Sequence, residues 1–158
     1  MKHKVEPQQL SALRFERVWV REATFVDIDE TEPTLTNELE GVEIQLEVKV
    51  TYADGGDRAF VTLRATLEPP ADKRLFAKLS AAVEGTFALR KGPDRAALAG
   101  FASLQAPVLL VPYLRETITS LTAQSRLGPI LLPPLNMAEV IKAMQAQAAP
   151  AEAPADKR

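Results

Sequence analysis

QAPVLLVPYLRETITSLTAQSRLGPILLPPLNMAEVI, residues 105–141, decides how the rest of the chain must be arranged. Leu114, Ile118 and Leu121 fall at i, i+4 and i+7 with Val111 one turn earlier, a single apolar stripe at helical spacing. Arg115, Glu116, Thr119 and Gln124 fill the other side, so the spacing predicts a helix from about Pro107 to Ser125. Pro112 is expected near the first turn, where its missing N–H costs nothing, and Gly128-Pro129 is a natural stop. Beyond it, Ile130, Leu131, Leu132, Pro133, Pro134 and Leu135 form an apolar strap that two prolines keep from being ordinary strand or helix. Such a strap needs a partner surface. Asn136 then offers an N-cap to a last helix, Met137 to Gln147, with Met137, Val140, Ile141 and Met144 on one face.

Working upstream, Asp94 to Leu104 is Ala-rich enough for a short helix, and before it the period changes from helical to twofold. Val42, Ile44, Leu46, Val48, Val50 and Tyr52 alternate with polar residues, as expected of a strand with one face buried and one wet. Asp54-Gly55-Gly56-Asp57 reads as a tight hairpin, followed by Phe60 to Leu67 in the same alternation. After Pro69-Pro70 a long strand carries Leu75, Ala77, Leu79, Ala81, Val83, Phe87 and Leu89. The earliest strand, Leu10 to about Val26, changes phase: Leu13 and Phe15 point one way, Val18 and Val20 the other, and Trp19 and Phe25 rejoin the first set. That pattern fits a bulge or pairing with another subunit. The acidic stretch 27–41 reads as a long solvated crossover loop.

The expected fold is therefore α+β: a four-stranded antiparallel β-meander with two main helices packed on one face. The domain spans residues 10–147, preceded by a flexible arm at 1–9 and followed by a disordered Ala/Pro-rich tail at 148–158. Two helices cannot cover both faces of a sheet, so the surplus apolar side chains point to oligomerisation or a recognition groove.

At 158 residues, with 46% hydrophobic and 25% charged residues, the chain has the make-up of one ordinary globular domain. A net charge of -2 gives no electrostatic pull on phosphates, which speaks against nucleic acid as a partner. The absence of Cys removes disulfides, thiol nucleophiles and cysteine metal sites. His3 is the only histidine and lies in the arm, which excludes a histidine metal cluster or a Ser-His-Asp triad within one chain. Asp54 and Asp57 have the wrong spacing for an EF-hand, and Asp27, Asp29, Glu30 and Glu32 read as a solvated loop. Neither a phosphate-binding loop nor an uninterrupted apolar run long enough to span a bilayer is apparent, so the expectation is a cytoplasmic protein that is not an enzyme and needs no cofactor or metal.

The residues Pro112, Tyr113, Arg115, Glu116, Ile118 and Ser120, then Pro134, Leu135, Asn136 and Met137, match P-[YF]-x-R-E-x-[IL]-x-S followed by P-[IVL]-N-[FM]. This resembles the C-terminal half of SecB, the bacterial protein-export chaperone. The first half agrees more loosely through Phe15, Arg17, Val18 and Trp19, Val61 to Thr66, and Gly85 to Leu89. The resemblance implies an ATP-independent holdase, a homotetramer built as a dimer of dimers, which keeps unfolded preproteins in hydrophobic grooves for the SecA ATPase. It places the groove at Val42, Ile44, Leu46, Phe87, Tyr113, Leu132, Met137 and Ile141, and the subunit interfaces at Val18, Trp19, Leu114, Ile118 and Leu121. Core burial is the competing reading for each groove residue. Of the acidic positions that contact SecA in the family, only Glu22 has a match; Val26, Lys78 and Ser80 depart from the pattern. A second implied role is a dedicated binder of one partner, such as the antitoxin of a toxin-antitoxin pair.

Overall fold

The computed structural model describes residues 13–28, 41–71, 75–90 and 94–148. The arm, most of the acidic crossover loop and all but the first residue of the tail lie outside them. Strands β1 (Leu13–Val26), β2 (Glu43–Tyr52), β3 (Arg58–Glu68) and β4 (Lys78–Leu89) precede helices α1 (Arg95–Leu104), α2 (Ala106–Thr122) and α3 (Met137–Ala148). The sheet is antiparallel with the order β1-β4-β3-β2. The expected meander therefore holds for β2, β3 and β4, while β1 crosses over to lie beside β4 and leaves β2 at the far edge.

Alternation decides which face meets the helices. Along β3, Ala59, Val61, Leu63, Ala65 and Leu67 are buried, while Phe60, Thr62, Arg64 and Thr66 between them are half-buried on the outer face. The β2–β3 hairpin closes through the Ala53 N–H to the Arg58 carbonyl at 3.0 Å, with Gly56 at φ +67°. The phase change in β1 has a local cause: the register with β4 shifts between Phe15 and Arg17 and again between Val20 and Glu22. Each shift adds a residue and restores the alternation. As a result Val18 and Val20 share the helix-facing side with Leu13, Phe15 and Phe25, and Trp19 lies on the outer face opposite Glu84. This corrects the facing expected from simple alternation.

Helix α2 lays Leu110, Leu114 and Ile118 against the sheet, all at 0% exposure. It begins at Ala106, so Pro112 stands in its interior rather than in its first turn. The carbonyl of Val108 thereby forgoes its helical donor on an exposed side of the helix, where solvent can satisfy it. Leu110 sits so close to β4 that a Cβ at Gly85 would lie 2.8 Å from its Cδ2 and 2.8 Å from Phe87 Cε2. Gly85→Ala is expected to lower stability by about 1–3 kcal/mol through overpacking, measured as a drop in urea midpoint with unchanged slope.

Candidate binding groove and the clamp that shapes it

The strap finds its partner surface on α2 of the same chain. Arg115 Nη2 donates to the Leu132 carbonyl at 2.9 Å and Thr119 Oγ1 to the Ile130 carbonyl at 3.3 Å. The Ile130 N–H donates to Thr122 Oγ1 at 2.8 Å, and the same hydroxyl donates to the Ile118 carbonyl at 2.8 Å. Three side chains one turn apart thus hold the strap by its backbone, satisfying groups that a buried irregular segment would otherwise leave unpaired. Ile130 and Leu132 turn into the core, and Leu131 between them is 64% exposed. Gly128, at φ +71°, makes the turn that starts this path. At its far end Asn136 Oδ1 accepts the Glu139 N–H at 3.4 Å, which caps α3 as its sequence position predicts.

α3 then lies beside the β2 edge. Val48, Val50, Ser103, Ile141, Met144 and Gln145 line a largely apolar groove of about 270 Å³ there. A second hollow, of about 280 Å³, opens at the β1 edge between Phe15, Glu16, Arg17, Val18 and Tyr113. Phe15 stacks on Phe87 with centroids 4.8 Å apart, and Tyr113 meets Phe15 edge-on at 5.6 Å. The two hollows belong to opposite edge strands, three strand spacings or roughly 14 Å apart.

The residues named from sequence are accordingly divided. Ile141 lines the β2-side groove, and Val42, Ile44 and Leu46 are half-buried in the same strand row as its Val48 and Val50. Tyr113, 42% exposed, lies at the β1-side hollow, with Phe87 behind Phe15. Phe87 and Leu132 are core residues at 0% and 1% exposure and present no surface to a ligand; Met137 and Ile141 retain 6% and 7%. Leu114 and Ile118 are likewise monomer core, because the helix stripe that sequence alone could assign to a neighbouring subunit is satisfied by the sheet beneath it. Val18, Trp19 and Leu121 stay half-buried. The alternation already marked the row containing Val48 and Val50, but the identity of its deepest section depends on where α3 ends up. Phe15 was legible only as a strand residue.

On the outer face, Glu22 accepts from Ser80 Oγ at 2.9 Å and pairs with Arg64. The Ser80 hydroxyl first and the Arg64 guanidinium second hold its carboxyl below the ordinary carboxylate range. Arg21 lies 3.6 Å from Glu84, which also accepts from Thr62 at 2.9 Å. Among the described residues no cluster of acidic or histidine side chains has the geometry of a metal site, and no single helix is long and apolar enough to cross a membrane.

The family model described as preprotein translocase subunit SecB matches residues 6–148. The chain belongs to the SecB family. It is 25% identical over 145 residues to the protein-export protein SecB of Nitrosomonas eutropha, covering 91% of this chain and 90% of that one. The SecB of Stenotrophomonas maltophilia is 28% identical, with 86% and 80% covered. A solved SecB-like chaperone of Mycobacterium tuberculosis, in complex with a ChAD peptide from an antitoxin, superposes with a TM-score of 0.59 at 20% identity, covering 78% of this chain and 88% of that one. The four-stranded antiparallel sheet with its helices is thus the SecB-like fold, in a divergent member of a chaperone family.

Two outcomes follow from the side chains just described. Thr122→Val leaves the buried Ile130 N–H without an acceptor and should cost about 1–3 kcal/mol in urea unfolding, with Thr122→Ser recovering most of it. Because the folded pKa of Glu22 is depressed, its contribution to stability is present above the unfolded carboxylate value and is lost as pH falls through the folded one. Glu22→Gln should therefore be less stable than the parent at neutral pH, and the gap should close as pH falls from the unfolded carboxylate range through the lower folded value, as followed by thermal melts across the acid range.

Proposed function

We propose that the protein is an ATP-independent holdase that binds unfolded preproteins in the cytoplasm and keeps them competent for export. The observation that carries this reading is the apolar groove of Val48, Val50, Ile141 and Met144, set between an edge strand and a short terminal helix in a SecB-family chain. Met144 is half-buried, and a methionine at a helix face adapts to varied side chains. Burying a large apolar side chain contributes about 1.5–3 kcal/mol, so four give about 6–12 before ordering costs. Immobilising an unfolded client consumes much of that, which leaves affinities on the order of micromolar per groove and makes tight holding depend on several grooves at once. A homotetramer, joined through β1 with Val18 and Trp19 and through the outer row of α2, supplies that multiplicity in this proposal. Val20 at 53% exposure and Leu109 at 42% are apolar surface on those two elements.

The second reading is a chaperone dedicated to one partner, such as an antitoxin. It is favoured by the outer face, where Arg64 and Ser80 engage the only carboxylate matching the acidic SecA contacts of the family. The structurally similar mycobacterial chaperone was itself solved with an antitoxin peptide.

Refolding of several unrelated denatured clients in the presence of the protein separates the two readings. A general holdase suppresses aggregation of most of them and forms a complex of discrete mass, and Met144→Glu lowers its affinity at least threefold without changing the thermal melt. Inactivity toward every client, in a protein that is folded and monodisperse, would leave only the dedicated role.

A further inference from the structure

Two of the chain's three methionines stand on one face of α3, Met137 at its start and Met144 two turns on, and their surroundings differ. Met137 belongs to the core, with 6% of its surface exposed. Met144 is half-buried, lies outside that core and lines the β2-side groove with Val48, Val50 and Ile141. Ser103 and Gln145 border the same hollow. The Ser103 hydroxyl donates to the Ala99 carbonyl at 2.8 Å, whereas Gln145 is exposed and its amide has no hydrogen-bond partner among the described residues. The chain has no cysteine, so toward a peroxide the methionine thioether is the most readily oxidised side chain it holds.

Hydrogen peroxide oxidises a thioether by oxygen transfer. The sulfur lone pair attacks one peroxide oxygen, an S–O bond forms and the O–O bond breaks, and the S–OH proton passes to the departing hydroxide to give water. Sulfur loses two electrons and the peroxide gains them. We propose that Met144 is a reversible oxidation site, at which a peroxide lowers the affinity of the groove for apolar segments. Access selects the residue, because the sulfur must meet the oxidant and the packing around Met137 keeps it away. Placement confines the effect to the groove. The new oxygen is a strong acceptor that Val48, Val50 and Ile141 cannot satisfy, while the Gln145 amide at the border of the same hollow is a donor of the right kind. The fold tolerates the change because Met144 is not part of the core, whereas the same oxygen on Met137 would be buried among apolar side chains. An apolar client segment then meets a polar group where it had met an adaptable thioether. The effect on clients deepens the holdase reading and rests on it; the selectivity of the oxidation does not.

The test treats the full chain with hydrogen peroxide, folded or in urea, and follows each methionine by mass spectrometry. Tryptic cleavage after Lys142 puts Met137 and Met144 on separate peptides. In the folded protein Met144 should oxidise about tenfold faster than Met137, and in urea the two should react at similar rates. With Met144 as the sulfoxide, affinity for a fluorescein-labelled denatured client, read by anisotropy, should fall about threefold while the thermal melt is unchanged. Methionine sulfoxide reductases should restore the affinity. Met144→Leu keeps Met1 and Met137 and should bind equally before and after the same treatment. Equal oxidation of Met137 and Met144 in the folded protein overturns the proposal. So does a Met144 sulfoxide that holds clients as well as the untreated protein, or an equal loss in the Met144→Leu chain. If the untreated protein holds no client, the holdase reading falls and the effect on affinity falls with it; the mass spectra still report whether Met144 is selectively oxidised, so the two failures are told apart.

Discussion

The close approach of Leu110 to Gly85 is the constraint from which the rest of the arrangement follows. At 0% exposure Leu110 needs a depression in the sheet, and β4 provides one because Gly85 has no side chain and Ala81 sits further along the same row. With α2 seated there, Leu114 and Ile118 fall in line along the helix and the opposite side of the helix is free to face outward. The strap then has a fixed rail to follow. Its clamp residues, Arg115, Thr119 and Thr122, occur at i, i+4 and i+7 and so sit one above the other.

The sequence made the strands and helices legible because the two periods are clean from Val42 onward, and because the turn residues fall where the backbone needs them. β1 was harder. Simple alternation put Val18 and Val20 on the wrong face, since two added residues restore the phase in a way that only the pairing partner reveals. The helix stripe is legible as apolar from its spacing, and Leu114 and Ile118 pack against the sheet beneath it. A stripe of Leu114 and Ile118 is chemically the same whether its partner is a sheet or a second subunit, so sequence spacing cannot choose between them.

The groove shows the same division. Its strand row was visible as an alternating pattern, and Met144 and Ile141 were visible as one face of a helix. Their meeting depends on the length and path of the strap, and irregular backbone carries no periodic signal. Arg115 and Thr119 looked like the wet side of an amphipathic helix because they are polar; their role appears only when the Leu132 and Ile130 carbonyls are found beside them. Polar residues facing another backbone and polar residues facing water look alike in sequence.

The clamp grips main-chain atoms at Ile130 and Leu132 and makes no demand on the side chain between them. Leu131 projects outward from a path that would be the same with almost any residue there. The strap thus separates the route of the chain from the chemistry it displays, and substitution at that one position is a means by which a lineage can retune the rim of its surface without refolding the domain.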